Sequence, residues 1–224
     1  ARGVTPLGRL VDRIFLDAIG WRGIRQRKLH LEEMIGTAID RLSKAGKPVH
    51  VLDVAAGHGR YVLDAVAAAP ARPESIRLRD FSDINVAAGR KLIAERGLAD
   101  VAGFEQGDAF DGDALAALSP APSLAIVSGL YELFSDNTLV SGSLGGIARG
   151  MEKGGLLVYT NQPWHPQLEM IARSLSSHRG GQAWVMRRRI QAEMDQLVEA
   201  AGFKKLDQRT DRWGIFTVAI AERA

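Results

Sequence analysis

Three aspartates, Asp53, Asp80 and Asp108, each stand where an apolar or β-branched run gives way to a turn of small residues. Asp53 leads into Gly57-His58-Gly59, Asp80 into Phe81-Ser82, and Asp108 lies within Gly107-Asp108-Ala109-Phe110, while a fourth run ends in Ser128-Gly129-Leu130-Tyr131. An ionised carboxylate only accepts hydrogen bonds, so Asp80 suits the two hydroxyls of a ribose and Asp108 an exocyclic adenine amine, with Phe81 or Phe110 available to pack on the ring. Asp53 ends a buried strand, where a carboxylate is costly unless hydrogen bonds compensate it. Glycines at 57 and 59 permit positive φ and close approach to the backbone, and a helix beginning there aims unpaired N–H groups at the turn. The implied chemistry is recognition of a nucleotide-like ligand.

The elements that must hold these residues follow from hydrophobic periodicity. Strands are expected at Val49 to Val54, Ile76 to Asp80, Val101 to Gln106, Leu124 to Ser128, Gly155 to Thr160, Phe203 to Gln208 and Ile215 to Ala221. Helical stretches separate most of them: Tyr61 to Ala69, Ile84 to Glu95, Ala114 to Leu118, Leu139 to Met151 and Gln191 to Ala201. Regular alternation predicts an α/β, Rossmann-like, doubly wound sheet of seven strands with its ligand at the carboxyl ends. Only Arg209 to Gly214 separates the last two strands, which forbids a parallel crossover and predicts an antiparallel C-terminal hairpin. Leu7, Leu10, Val11, Ile14, Phe15, Ala18 and Ile19 form one amphipathic helix that Gly20 should stop, and a second runs from about Ile24 to Gly46-Lys47-Pro48. These two read as an N-terminal helical cap or linker over 1–46, leaving 47–224 as the ligand-binding domain.

Bulk composition narrows the classes. The 224 residues are 46% hydrophobic, enough for a real core, and no cysteine is present, which removes disulfides, thiolate zinc sites and cysteine nucleophiles and fits a cytoplasmic setting. A net charge of +3 gives no reason to expect a nucleic-acid partner. No stretch has the apolar length of a transmembrane segment, no signal peptide is visible, and no metal-ligating pattern stands out.

VLDVAAGHGRY, RDFSD, GDAF, LAIVSGLYE and GGLLVYT, together with the terminal hairpin, resemble the class I S-adenosylmethionine (SAM) dependent methyltransferases over roughly Val49 to Arg223. The resemblance implies SAM as cofactor and S-adenosylhomocysteine as product. It places Asp53, Gly57 and Gly59 at the methionine end, Asp80 and Ser82 at the ribose, and Asp108 and Ala109 at the adenine. Ala55, His58, Tyr61, Phe81, Phe110, Ser128 and Gly129 complete the expected cofactor site. Ala55 departs from the commoner glycine. GWRGIRQRK, SGLYELF, NQPWHPQLEMIARSL, SHRGGQAWVMRRR and WGIFTVAIAER are similar to a bacterial branch of methyltransferase domains often found after an α/β-hydrolase in one polypeptide, and the lack of a starting Met fits a piece of such a fusion.

NAD is the rival ligand, but its fingerprint would put a small residue where Val62 stands. Tyr131 and Glu132 follow the fourth strand, where the methyl group should emerge, and His165 is a candidate proton acceptor. The segment from Asn161 to Arg189 is expected to form the acceptor side, with Trp164 and His165 against an apolar part and Arg179, Arg187 and Arg188 gripping an anion. The fourth strand lacks the Asn/Asp-Pro-Pro-aromatic signature of exocyclic-amine nucleic-acid enzymes, so a small-molecule or lipid-related acceptor is expected. The alternative is a non-catalytic SAM- or nucleoside-binding module of a larger hydrolase fusion.

Overall fold

The computed structural model describes residues 3–177 and 181–224. Its sheet has seven strands: β1 (His50–Asp53), β2 (Ser75–Asp80), β3 (Ala102–Gln106), β4 (Leu124–Val127), β5 (Leu156–Asn161), β6 (Phe203–Thr210) and β7 (Thr217–Arg223), in the order β3-β2-β1-β4-β5-β7-β6. β1 to β5 are parallel, and β7 enters antiparallel between β5 and β6. β4 and β5 are buried at every position, as strands covered on both faces require, and so read as unbroken apolar runs. The doubly wound sheet and its hairpin are those expected from the sequence.

On one face pack α2 (Ile19–Lys44), α3 (Arg60–Ala68) and α4 (Asp83–Glu95); on the other, α5 (Gly112–Ala116), α6 (Asn137–Gly150) and α8 (Gln191–Ala200). α1 (Pro6–Leu16) and α7 (Leu168–Ser174) bury no residue. The second helix begins at Ile19, not near Ile24, and Gly20 and Gly23 lie inside it. Their role is proximity: a Cβ on Gly20 would stand 2.8 Å from His165 Nε2, and one on Gly23 would stand 3.1 Å from the Phe216 ring. Close packing outweighs the modest helix penalty of glycine. Leu31, Met34, Ile35, Ala38, Ile39 and Leu42 of α2 belong to the same core as β1 and β2.

β7 begins at Thr217, two residues later than the apolar pattern implied. The Asp211 carboxylate accepts the Trp213, Ile215 and Phe216 amides at 2.8, 3.3 and 2.5 Å, so the first apolar residues belong to the turn instead of the ladder. That turn fixes Phe216 beneath α2.

Candidate functional site

The carboxyl ends of β1 to β4 and the inner face of α2 enclose a cleft of about 990 Å³. At its centre the Asp80 carboxylate joins two strand ends. Oδ2 accepts the Gly57 amide at 2.8 Å, while Oδ1 accepts the Ser82 amide at 2.9 Å and Asn85 Nδ2 at 3.0 Å. A carboxylate offers about four acceptor positions, so one place on Oδ2 is left for a ligand hydroxyl. Ser82 caps α4 by accepting the Asn85 amide, which starts that helix directly under the cleft.

Gly57 takes φ 58° and Gly59 φ 71°, but only Gly57 lines the cleft. Nothing lies within 4 Å of a Cβ built on Gly57, whereas one on Gly59 would stand 2.4 Å from Leu78 Cδ1. Gly59 is therefore a packing glycine, and His58 between them is exposed and off the cleft. Asp53 is fully buried behind the cleft wall, where it accepts the Ala55 amide at 3.1 Å and the Tyr61 hydroxyl. Burial raises its pKa to about 7, against the opposing pull of these two donors.

Asp108 is exposed at the rim, with Oδ1 accepting the Phe110 amide at 2.8 Å. Phe110 meets Phe134 edge-on at 4.4 Å between ring centroids, and the pair forms an aromatic wall. Of the cofactor residues expected from the sequence, Ala55, Gly57, Tyr61, Asp80, Phe81, Ser82, Asp108, Ala109, Phe110, Ser128 and Gly129 all line this cleft. Sequence reasoning missed Asn85, Leu133 and Phe134, as well as the α2 contribution of Ile24 and Leu31. The polar start of α2 supplies Arg27 and Lys28.

The expected acceptor and catalytic residues are not brought together there. Tyr131 is buried with its hydroxyl donating to Ser143 Oγ at 3.0 Å, and burial drives its phenol pKa far up. His165 is buried against Gly20 and Phe216, its Nδ1 accepts the Gln167 amide at 3.1 Å, and desolvation lowers its pKa. Trp164 is partly exposed and off the cleft. Arg187 is committed to Ser135 O, Asn137 Oδ1 and Glu193, and Arg188 is exposed away from the cleft. These positions do not grip a cleft ligand, because the segment carrying them packs against the turn after β4; Arg179 lies outside the described residues.

The third arginine of that run has a structural part. Arg189 is 1% exposed and donates to Tyr131 O at 2.6 Å, Phe134 O at 2.7 Å and Asn137 Oδ1 at 2.8 Å. It thus fixes the Tyr131–Leu133 3₁₀ turn that carries Glu132. Glu132 is buried too, with Oε1 3.3 Å from Arg27 Nη1 and Oε2 lacking a hydrogen-bond partner.

The strand order, reversed hairpin and cleft at the strand ends define the class I methyltransferase fold. The chain belongs to the family described as "Putative methyltransferase", whose model matches residues 1–223. It is 58% identical over 222 residues to the Escherichia coli (strain K12) protein YnbC, covering 99% of this chain and 38% of that protein. The chain therefore spans well under half the length of this relative. Among solved structures, a possible exported protein from Bordetella parapertussis superposes with TM-score 0.77 at 20% identity, over all of this chain and 74% of that one. Magnesium protoporphyrin IX methyltransferase from Synechocystis PCC 6803, solved with bound S-adenosylhomocysteine, superposes with TM-score 0.64 at 15% identity, over 92% and 88%. Both likenesses concern the fold. Among the described residues no helix is long and apolar enough to cross a membrane, and no cluster of three potential metal ligands occurs.

Proposed function

We propose that the cleft binds SAM and that the chain transfers its methyl group to a small-molecule or lipid-related acceptor. The observation that carries this reading is the convergence of Asp80, with one acceptor place open, the unobstructed Gly57 backbone, Asp108 and the Phe110–Phe134 wall in one cleft. Such a set matches a ribose, an amino-acid arm, an adenine amine and an apolar ring. The residues present therefore fit the cofactor. SAM, when bound, supplies an electrophilic methyl whose C–S bond breaks as the acceptor's lone pair attacks, leaving S-adenosylhomocysteine.

The chain's own task is to position, exclude water and receive a proton. Asp80 would orient the ribose and Asp108 the adenine, while Leu130, Leu133 and Phe134 give an apolar surface beside the end of β4. Glu132 does not itself line the cleft, but it lies on the turn between the lining residues Leu130 and Leu133 and its Oε2 is buried without a hydrogen-bond partner, which supports it as the proton acceptor. A cleft of this volume is at the large end for one small ligand, which supports room for an acceptor alongside the cofactor. A fused or adjacent α/β-hydrolase domain and a cytoplasmic location stay part of the proposal; the greater length of the relative supports only that further sequence accompanies this domain there.

Incubating the protein with methyl-labelled SAM and whole-cell extract, followed by mass spectrometry, tests this reading. A labelled product dependent on the protein is expected. One observation favours the alternative of a non-catalytic binding module: Tyr131 and His165 are tied into the structure and Glu132 is paired with Arg27. Binding of S-adenosylhomocysteine without any labelled product would decide for that module.

A further inference from the structure

α1 is a well-begun helix with nothing packed on its apolar side. Thr5 caps it by accepting the Gly8 amide at 3.0 Å, and Pro6 stands at the first helical position, so its start is fixed by local chemistry. Leu7, Leu10, Val11 and Ile14 recur at i, i+3, i+4 and i+7 and form one stripe, yet they are 69, 51, 56 and 65% exposed. An isolated helix of 11 residues is marginal in water, so such a stripe calls for a surface to rest on. The Phe15 ring meets Trp21 edge-on at 5.9 Å between centroids, which ties the end of α1 to the start of α2 and leaves the stripe outside that contact.

The charges beside the stripe decide what the surface is. Asp17 is spent on a two-pronged pair with Arg22, and Asp12 accepts the Gly3 amide at 2.8 Å. Arg9 and Arg13, one turn apart on the polar side, are exposed and form no ion pair among the described residues. Arg25 Nη1 donates to Leu16 O at 2.9 Å, so a further cation sits at the carboxyl end of α1. An apolar stripe bordered by unmatched arginines complements a bilayer surface carrying anionic headgroups. A second copy fits less well. A helix of this length is about 16 Å long and about 10 Å across, so two stripes would bury on the order of a few hundred Å² per copy, against roughly 800 Å² in a standard interface. Pairing would also bring like-charged arginines together.

We infer that α1 lies in the plane of an anionic lipid surface, with Leu7, Leu10, Val11 and Ile14 among the acyl chains and Arg9 and Arg13 at the phosphates. α1 runs through Asp17 and Ala18 into α2, whose residues Ile24, Arg27, Lys28 and Leu31 line the cleft, so docking keeps that helix near the bilayer. The inference goes beyond the methyl-transfer reading and does not depend on it.

Flotation with vesicles tests it. The full chain would be mixed with vesicles of phosphatidylcholine alone, or of phosphatidylcholine and phosphatidylglycerol in equal parts, at low and high salt. Wild type should float with the mixed vesicles roughly tenfold more than with phosphatidylcholine alone, and high salt should shrink the difference. Leu10→Ser combined with Ile14→Ser should cut binding to the mixed vesicles about tenfold or more, and Arg9→Gln combined with Arg13→Gln should remove most of the preference for the anionic lipid. Because α1 buries no residue, both double variants should keep the wild-type urea midpoint, so a loss reads as a lost lipid contact. Unchanged binding by the L10S and I14S double variant would overturn the inference, as would equal flotation of wild type with both kinds of vesicle. Wild type floating with neither would overturn it too. In that case a dimer in sedimentation that the L10S and I14S changes dissolve would assign the stripe to a second copy, and a monomer would assign it to further sequence of the kind that accompanies this domain in its longer relative.

Discussion

The Asp80 carboxylate holds the Gly57 amide at 2.8 Å, so the acid closing β2 also sets the turn after β1. Two halves of the proposed nucleoside site are thus one hydrogen-bonded unit, with Ser82 and Asn85 as its other members.

Asp80→Ala should therefore do more than remove a ribose contact. It should weaken S-adenosylhomocysteine binding by about 1–3 kcal/mol and also cost stability, because the Gly57 and Ser82 amides lose their partner. Asn85→Ala leaves both amides satisfied and should change stability little. Calorimetry paired with urea melts of the two variants separates these effects, and an Asp80→Ala protein with unchanged affinity would exclude Asp80 from the site.

Asp53 makes stability depend on pH. Its folded pKa is raised from 3.8 to about 7, so between those values the native state holds a proton that the unfolded chain has released. Stability from this group is full below the lower value and is lost as pH rises toward about 7. Asp53→Asn should flatten that decline in urea melts run from pH 4 to 8.

α1 and α2 should differ sharply in what they contribute. Ile35 is fully buried, so Ile35→Ala should cost roughly 2–5 kcal/mol. α1 buries nothing, and deleting residues 1–16 should leave the urea midpoint within about 0.5 kcal/mol equivalent of the full chain. A large loss on that deletion would show that α1 is packed as firmly as α2.

The arginine run gives a comparable contrast. Arg189→Met removes three buried donors from the turn carrying Glu132 and should cost roughly 2–4 kcal/mol, whereas Arg188→Ala at an exposed position should be nearly silent. Denaturant melts of the two variants make the comparison directly.

What the sequence shows and hides follows the range of the interactions concerned. β4 and β5 are legible because burial on both faces demands apolar residues throughout, and Asp80 is legible because strand, acid and helix cap are neighbours in the chain. The Arg27–Glu132 pair joins residues 105 positions apart, and no local pattern announces it. Gly20 reads as a helix breaker, and Gly23 falls outside the expected second helix, because propensity ignores what lies opposite, here His165 and Phe216. Likewise Arg187, Arg188 and Arg189 look alike in sequence. Only their packing against the turn after β4 makes the last a buried staple and leaves the middle one exposed.

The two turn glycines should separate folding from binding. Both take positive φ, so alanine is strained at either by roughly 1–2 kcal/mol. At Gly59 the added methyl also meets Leu78 Cδ1 at 2.4 Å, and Leu78 is fully buried, so its side chain would have to shift within the core. Overpacking there adds about 1–3 kcal/mol, so Gly59→Ala should be the far less stable protein. At Gly57 the methyl meets no protein atom and instead projects where the proposed ligand approaches the backbone. Gly57→Ala should thus remain folded, with a modest shift in its urea midpoint, yet lose most of its affinity for S-adenosylhomocysteine. If Gly57→Ala bound that ligand as wild type does, the ligand would not run along this turn, and the cleft would have to be read with its amino-acid end elsewhere.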